Sequence, residues 1–110
     1  MMNRIQYLLL KCAEESSEVS QMAIKTAQFG LHEVYSPVPD QPALSNIERL
    51  KGELVDQLAT IQLLNKEAGL DLGFTVNEPD AAFRIASKIT KIEKYYNYSV
   101  ELGQTQEIPT

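Results

Sequence analysis

The sequence predicts an all-α fold, a small bundle of two long helices and a third. Three observations carry that prediction. Apolar residues recur at three- and four-residue spacing over long stretches, no segment alternates in the manner of a strand, and the helix breakers gather in two places. At 110 residues the chain is one domain's worth, and its 44% hydrophobic and 23% charged content excludes wholesale disorder. Area scaling gives a chain of this mass roughly 6,000 Å² of folded surface from roughly 18,000 Å² unfolded, enough for a modest core. One domain over residues 1–102 and a polar, frayed tail over 103–110 is the expected organisation.

The first helix is expected from about Asn3 to Phe29. Ile5, Leu8, Leu9, Cys12, Val19, Met22 and Ala23 make one apolar stripe, and Gly30 is a natural stop because it tolerates a left-handed residue after the last turn. The connection from Leu31 to Leu44 carries Pro37, Pro39 and Pro42, so it is read as extended. A second helix should begin at Ser45, whose spacing to Glu48 is that of a capping box, and end near Gly69. Its residues Ile47, Leu50, Leu54, Leu58, Ile61 and Leu64 share one face, while Val55, Ala59 and Leu63 lie elsewhere on the cylinder. Such two-sided apolarity calls for cover from two directions, which self-association supplies. The expected product is a homo-oligomer completed into a four-helix-type assembly, a tetramer in preference to a dimer.

After a short loop from Gly69 to Glu78, Pro79 suits the first turn of a third helix. That helix is expected from about Asp80 to Ser99, with Ala82, Ile85, Ile89, Ile92 and Tyr96 facing inward.

Composition also excludes several functions. Fifteen acidic residues against ten basic ones leave a net charge of -5, the wrong sign for a protein that coats nucleic acid. The single cysteine, Cys12, cannot close an internal disulfide, and with the single histidine, His32, it cannot make a zinc site. A di-iron carboxylate bundle would need E-x-x-H pairs, and none is present. The apolar run Tyr7–Leu10 is too short for a signal peptide or a membrane span, so a cytoplasmic protein without membrane partners is expected.

The carboxylates break the helical pattern. With Glu15 set at 0°, Leu8 falls near ~20°, Val19 near ~40° and Met22 near ~-20°, so Glu15 sits inside the apolar stripe. Glu18 lies about 60° away on the flank, and Glu14 about 100° off. Glu53 and Asp56 repeat the i, i+3 spacing on the second helix, with Glu53 bordering its apolar face. A carboxylate on a core face is costly without a partner. If the two helices pack antiparallel, Glu15, Glu18, Glu53 and Asp56 converge, and a divalent cation would neutralise them. All-oxygen ligation suits Mg²⁺, with Mn²⁺ the alternative.

At these residues the chain resembles a known family. E-E-x-x-E-V from Glu14 to Val19, followed by E-L-x-D-x-L from Glu53 to Leu58, is similar to the signature of the MazG-type all-α nucleoside triphosphate pyrophosphohydrolases. The resemblance runs from about Leu9 to Lys94, and departs from the family in the longer, proline-rich connection between the motifs. It implies Mg²⁺-dependent cleavage of a nucleoside triphosphate between the α and β phosphates, with Glu15, Glu18, Glu53 and Asp56 as metal ligands. It also places Lys25 where such proteins have a lysine closing the first motif. Glu14 then stands as a base or an orienting group, or as a surface acid beside Lys11. The phosphoribosyl-ATP pyrophosphohydrolases share the carboxylates, but their other basic motifs are not seen here.

The third helix offers a basic complement, Arg84, Lys88, Lys91 and Lys94. Lys88 and Lys91 flank its apolar line and are the better candidates for phosphate contact. Tyr95 is a candidate for stacking on a base. A different class of function, a non-catalytic helical interaction module, would use the same bundle without the acids.

Overall fold

The computed structural model describes residues 1–34, 43–72 and 79–107. Among these the regular elements are helices: α1 (Arg4–Phe29), α2 (Asn46–Ala68) and α3 (Pro79–Glu101). The chain divides into two compact units, Met1–Leu72 and Gly73–Thr110. The expected roles of Pro37, Pro39, Pro42 and of Gly73–Glu78 lie outside the described residues, as does the end of the tail at 108–110.

Local chemistry sets the helix ends. Asn3 caps α1 through a reciprocal box, its Oδ1 accepting from the Gln6 N–H at 2.8 Å while Gln6 Oε1 accepts from the Asn3 N–H at 2.9 Å. Ser45 caps α2 as expected. Glu48 Oε1 accepts from the Ser45 hydroxyl at 2.9 Å, and Ser45 Oγ accepts from the Glu48 N–H at 3.3 Å. Gly69 ends α2 in the left-handed region at φ 61°, ψ 30°, whereas Gly30 ends α1 at φ 99°, ψ 153°. Gly30 therefore stops the helix with an extended, positive-φ turn instead of the left-handed cap the sequence leads one to expect.

In the first unit α1 and α2 run antiparallel. Arg4 Nε pairs with Glu67 at 3.4 Å, Gln57 donates to the Ser16 hydroxyl, and the Asn46 amide donates to the Gly30 carbonyl at 2.9 Å. These three links fix one register along the whole pair. At its closed end the chain after α1 folds onto the start of α2. The Asn46 and Ile47 N–H groups donate to the Glu33 and Leu31 carbonyls at 3.1 and 3.0 Å. The Asn46 side chain, buried, also donates to Glu33 Oε2 at 2.8 Å.

Leu8 and Leu64 meet the core at 4% and 1% exposure, and they are the buried hydrophobic side chains among the described residues. Cys12, Val19, Met22, Leu50 and Ile61 are half-buried. Ile5, Leu9, Ile47, Leu54, Val55, Leu58 and Leu63 are exposed, so the two-sided apolarity of α2 is real and one side is open. One helix covers only one stripe of its neighbour, which leaves the other flank to solvent.

In the second unit, α3 begins at Pro79 as expected. Ile85, Ile89 and Ile92 were expected to face inward and are exposed; Tyr96 is half-buried. The segment after α3 is bonded back to the helix. The Tyr96 hydroxyl donates to the Gln106 carbonyl at 2.7 Å, the Gln104 N–H to Ser99 at 3.0 Å, and Ser99 and Thr105 share a hydroxyl contact. No described helix is long and apolar enough to cross a membrane.

Candidate functional site

The antiparallel register brings acids from both motifs to the α1–α2 seam. Glu15, Glu53 and Asp56 each offer a carboxylate oxygen, and the three oxygens lie within 4.8 Å of one another. Glu15 and Glu53 are half-buried and Asp56 is exposed. On a 100° wheel Glu15 lies about 20° from the buried Leu8, and Glu53 about 20° from the buried Leu64. The two glutamates thus take core positions in mid-seam.

The electrostatics follow from that placement. The Glu53 carboxyl is held above the usual carboxylate range, first by burial and then by repulsion from Glu18, Asp56 and Glu15. In octahedral ligation at about 2.1 Å adjacent oxygens lie about 3.0 Å apart, so a shared hard cation would have to draw the three carboxylates closer together.

Beside the trio opens a cleft of about 380 Å³. Its walls are Glu18, Gln21, Met22 and Lys25 from α1, Leu44, and Glu48, Arg49, Gly52, Glu53 and Asp56 from α2. Glu18 therefore stands on the cleft wall, outside the 4.8 Å trio, because it is turned to the flank of the seam. Lys25 lines the same cleft. Glu14 is exposed on another side of α1 and pairs with Lys11 at 3.0 Å, a bond that raises the Lys11 pKa.

Lys88, Lys91 and Tyr95 are exposed on α3, in the second unit. His32 is exposed in the turn after α1, and Cys12 is half-buried.

Sequence reasoning missed Arg49 and Gly52. Arg49 is half-buried, and its Nε donates to the Leu44 carbonyl at 3.3 Å. The signal was present, since Arg49 is seven residues before Asp56 and so on the same stripe of α2. Gly52 adds a backbone-only stretch to the cleft wall, where a Cβ would meet nothing within 4 Å. Comparison with protein-family models, with curated proteins and with solved structures finds no match for this chain.

Proposed function

We propose that the chain is a Mg²⁺-dependent nucleoside triphosphate pyrophosphohydrolase, releasing a nucleoside monophosphate and pyrophosphate. The observation that supports it is the meeting of Glu15, Glu53 and Asp56 at one point of the seam, from two motifs 38 residues apart at their glutamates, beside a cleft that Lys25 also lines. Acids on the central stripe of a helix pair weaken the pair unless a ligand uses them. Bound there, Mg²⁺ or Mn²⁺ would supply charge neutralisation for the phosphates and a more acidic water.

The chain's own residues have distinct parts. Glu15, Glu53 and Asp56 hold the reacting end, and Glu18 on the adjoining wall is the fourth acid in reach. Water oxygen bonds to the α phosphorus, the bond to the bridging oxygen breaks, and pyrophosphate leaves with that electron pair. The water's proton passes to a carboxylate of the set. Glu14 is reserved for an orienting role, since Lys11 already holds it. Lys25 contacts the phosphates. A reducing, cytoplasmic setting fits the lone free cysteine.

The open apolar flank of α2 supports a second part of the proposal, a homo-oligomer with a tetramer favoured. A non-catalytic interaction module would use that flank equally well, but it gives the seam acids no task. The test is a nucleotide panel assayed with Mg²⁺ and with Mn²⁺, scoring pyrophosphate apart from single phosphate. Pyrophosphate release by the wild type that is lost in Glu53→Gln is expected. Release that survives Glu53→Gln unchanged removes the metal-site assignment, and no turnover of any nucleotide favours the interaction module.

A further inference from the structure

The α1–α2 pair has two sides of opposite character. Take the buried Leu8 as zero on α1 and the buried Leu64 as zero on α2, with about 100° per residue. Antiparallel helices in contact turn flanks of the same sign to the same side of the pair. The cleft shows this: Glu18 and Lys25 fall at about -80° and -100° on α1, Asp56 and Gly52 at about -80° and -120° on α2, and all four line it.

The positive side is uncharged. From about +40° to about +120° neither helix carries an acid or a base. On α1 this strip holds Ser16, Ser20, Ala23 and Ala27, all exposed, a shallow channel of small side chains that begins at Leu9. On α2 it holds Ile47, Leu54 and Leu58 at 39%, 50% and 38% exposure, which form a ridge. Channel and ridge are level. Counted from the Gln57 bond to the Ser16 hydroxyl, Leu58, Leu54 and Ile47 stand within about 1.5 Å of the heights of Ser16, Ser20 and Ala27.

We propose that this side is the contact for a second copy of the chain, related by a two-fold axis parallel to the helices. Such an axis keeps every residue at its own height and lays α2 of each copy antiparallel over α1 of the other. Leu58, Leu54 and Ile47 then seat over the partner's Ser16, Ser20 and Ala27, ridge into channel. A two-fold axis across the helices would set ridge on ridge and channel on channel, and the small residues would lose their packing partners.

Charge selects the same side. Each chain carries -5, and pairing through the cleft side would set two clusters of Glu15, Glu18, Glu53 and Asp56 against each other. Pairing through the uncharged side leaves both clefts facing outward, each built by one chain. The area is adequate too. From Leu9 to Ala27 the face is about 27 Å long and two helix diameters wide, on the order of 500 Å² in projection. Its corrugated surface approaches the ~800 Å² that each partner of a stable contact covers. This contact rests on the self-association proposed above and needs nothing from the hydrolase reading.

The test uses two full-length variants in a Cys12→Ala background, one with Ser20→Cys and one with Leu54→Cys. Mixed in equal amounts and mildly oxidised, they should give several-fold more covalent dimer than either alone. Sedimentation equilibrium adds a measurement free of thiol geometry. Ser20→Lys should weaken the association at least ~10-fold, and, Ser20 being exposed, the helix pair keeps its core. Gln21→Lys, the next residue but on the cleft side, should leave association unchanged. A dimer that links through either cysteine variant alone, or that Ser20→Lys leaves intact, overturns this contact and leaves self-association standing. A wild type that sediments as a monomer at all concentrations removes both.

Discussion

Glu15 and Glu53 face each other at mid-seam, their carboxylate oxygens within 4.8 Å, in positions where a helix pair ordinarily buries aliphatic side chains. Each lies about 20° around the wheel from the leucine that anchors its helix. The pair is a weak point of the fold and, on the proposed function, the place for a cation; both readings are measurable.

The first is pH dependence. Glu53 has its pKa raised, so the folded state binds its proton more readily than the unfolded chain does. Well above the raised value, Glu53 is ionised in both states and its full penalty is present. As pH falls through that value the penalty diminishes, and below the ordinary carboxylate range it is gone. Without metal, Glu53→Gln should therefore raise Tm near neutral pH by ~2–4 °C, and the gain should vanish under acid conditions. Partial exposure keeps the effect small. On the proposed function the order should reverse with Mg²⁺, the wild type gaining from the ion and the variant not. Thermal melts over a pH series, with and without Mg²⁺, check both signs.

Gly52 gives a second prediction. Glycine inside a helix costs about 1 kcal/mol relative to alanine, and a Cβ here meets nothing within 4 Å. Gly52→Ala should stabilise the fold by ~0.5–1 kcal/mol. Gly52→Leu should also fold but fill part of the cleft beside Glu53, lowering the proposed nucleotide turnover while the helix content holds. A Gly52→Leu protein as active as wild type would show that this part of the cleft is not used.

The helix ends and the acids were legible in the sequence; the shape of the site was not. Ser45 with Glu48 announced the start of α2, and Pro79 that of α3, because capping and proline chemistry act within one turn. Glu15 and Glu53 stood out as charges on apolar stripes. Which flank of the seam opens is a property of two helices together, so Arg49 and Gly52 entered only with the structure, and Glu18 moved to the wall. The same holds for Ile85, Ile89 and Ile92: their spacing announces an apolar line, but spacing alone cannot name what covers it.

Asn46 tests the closed end. Its buried amide donates to the Gly30 carbonyl and to Glu33 Oε2, holding the turn after α1 against the start of α2. Asn46→Ala removes both bonds and leaves the Gly30 carbonyl unpaired, a loss of about 1–3 kcal/mol. Denaturant unfolding should show a lower midpoint with the same slope.

The open flank of α2 carries the last prediction. Leu54 is 50% exposed, Leu58 38% and Val55 56%, and they extend the face that Ile47 begins. With only Leu8 and Leu64 buried among the described hydrophobic side chains, α1 and α2 hold little core of their own. A stable protein contact covers about 800 Å² on each partner, and a self-complementary α2 flank offers two helices' worth of apolar surface to supply it. Leu54→Glu with Leu58→Glu places four charges into such a contact in a dimer, one pair from each copy. Sedimentation should then shift to the smaller species, and the Tm should lose its dependence on protein concentration. A wild type that sediments as a monomer at all concentrations, with the double variant melting at the same temperature, would leave that flank as ordinary surface.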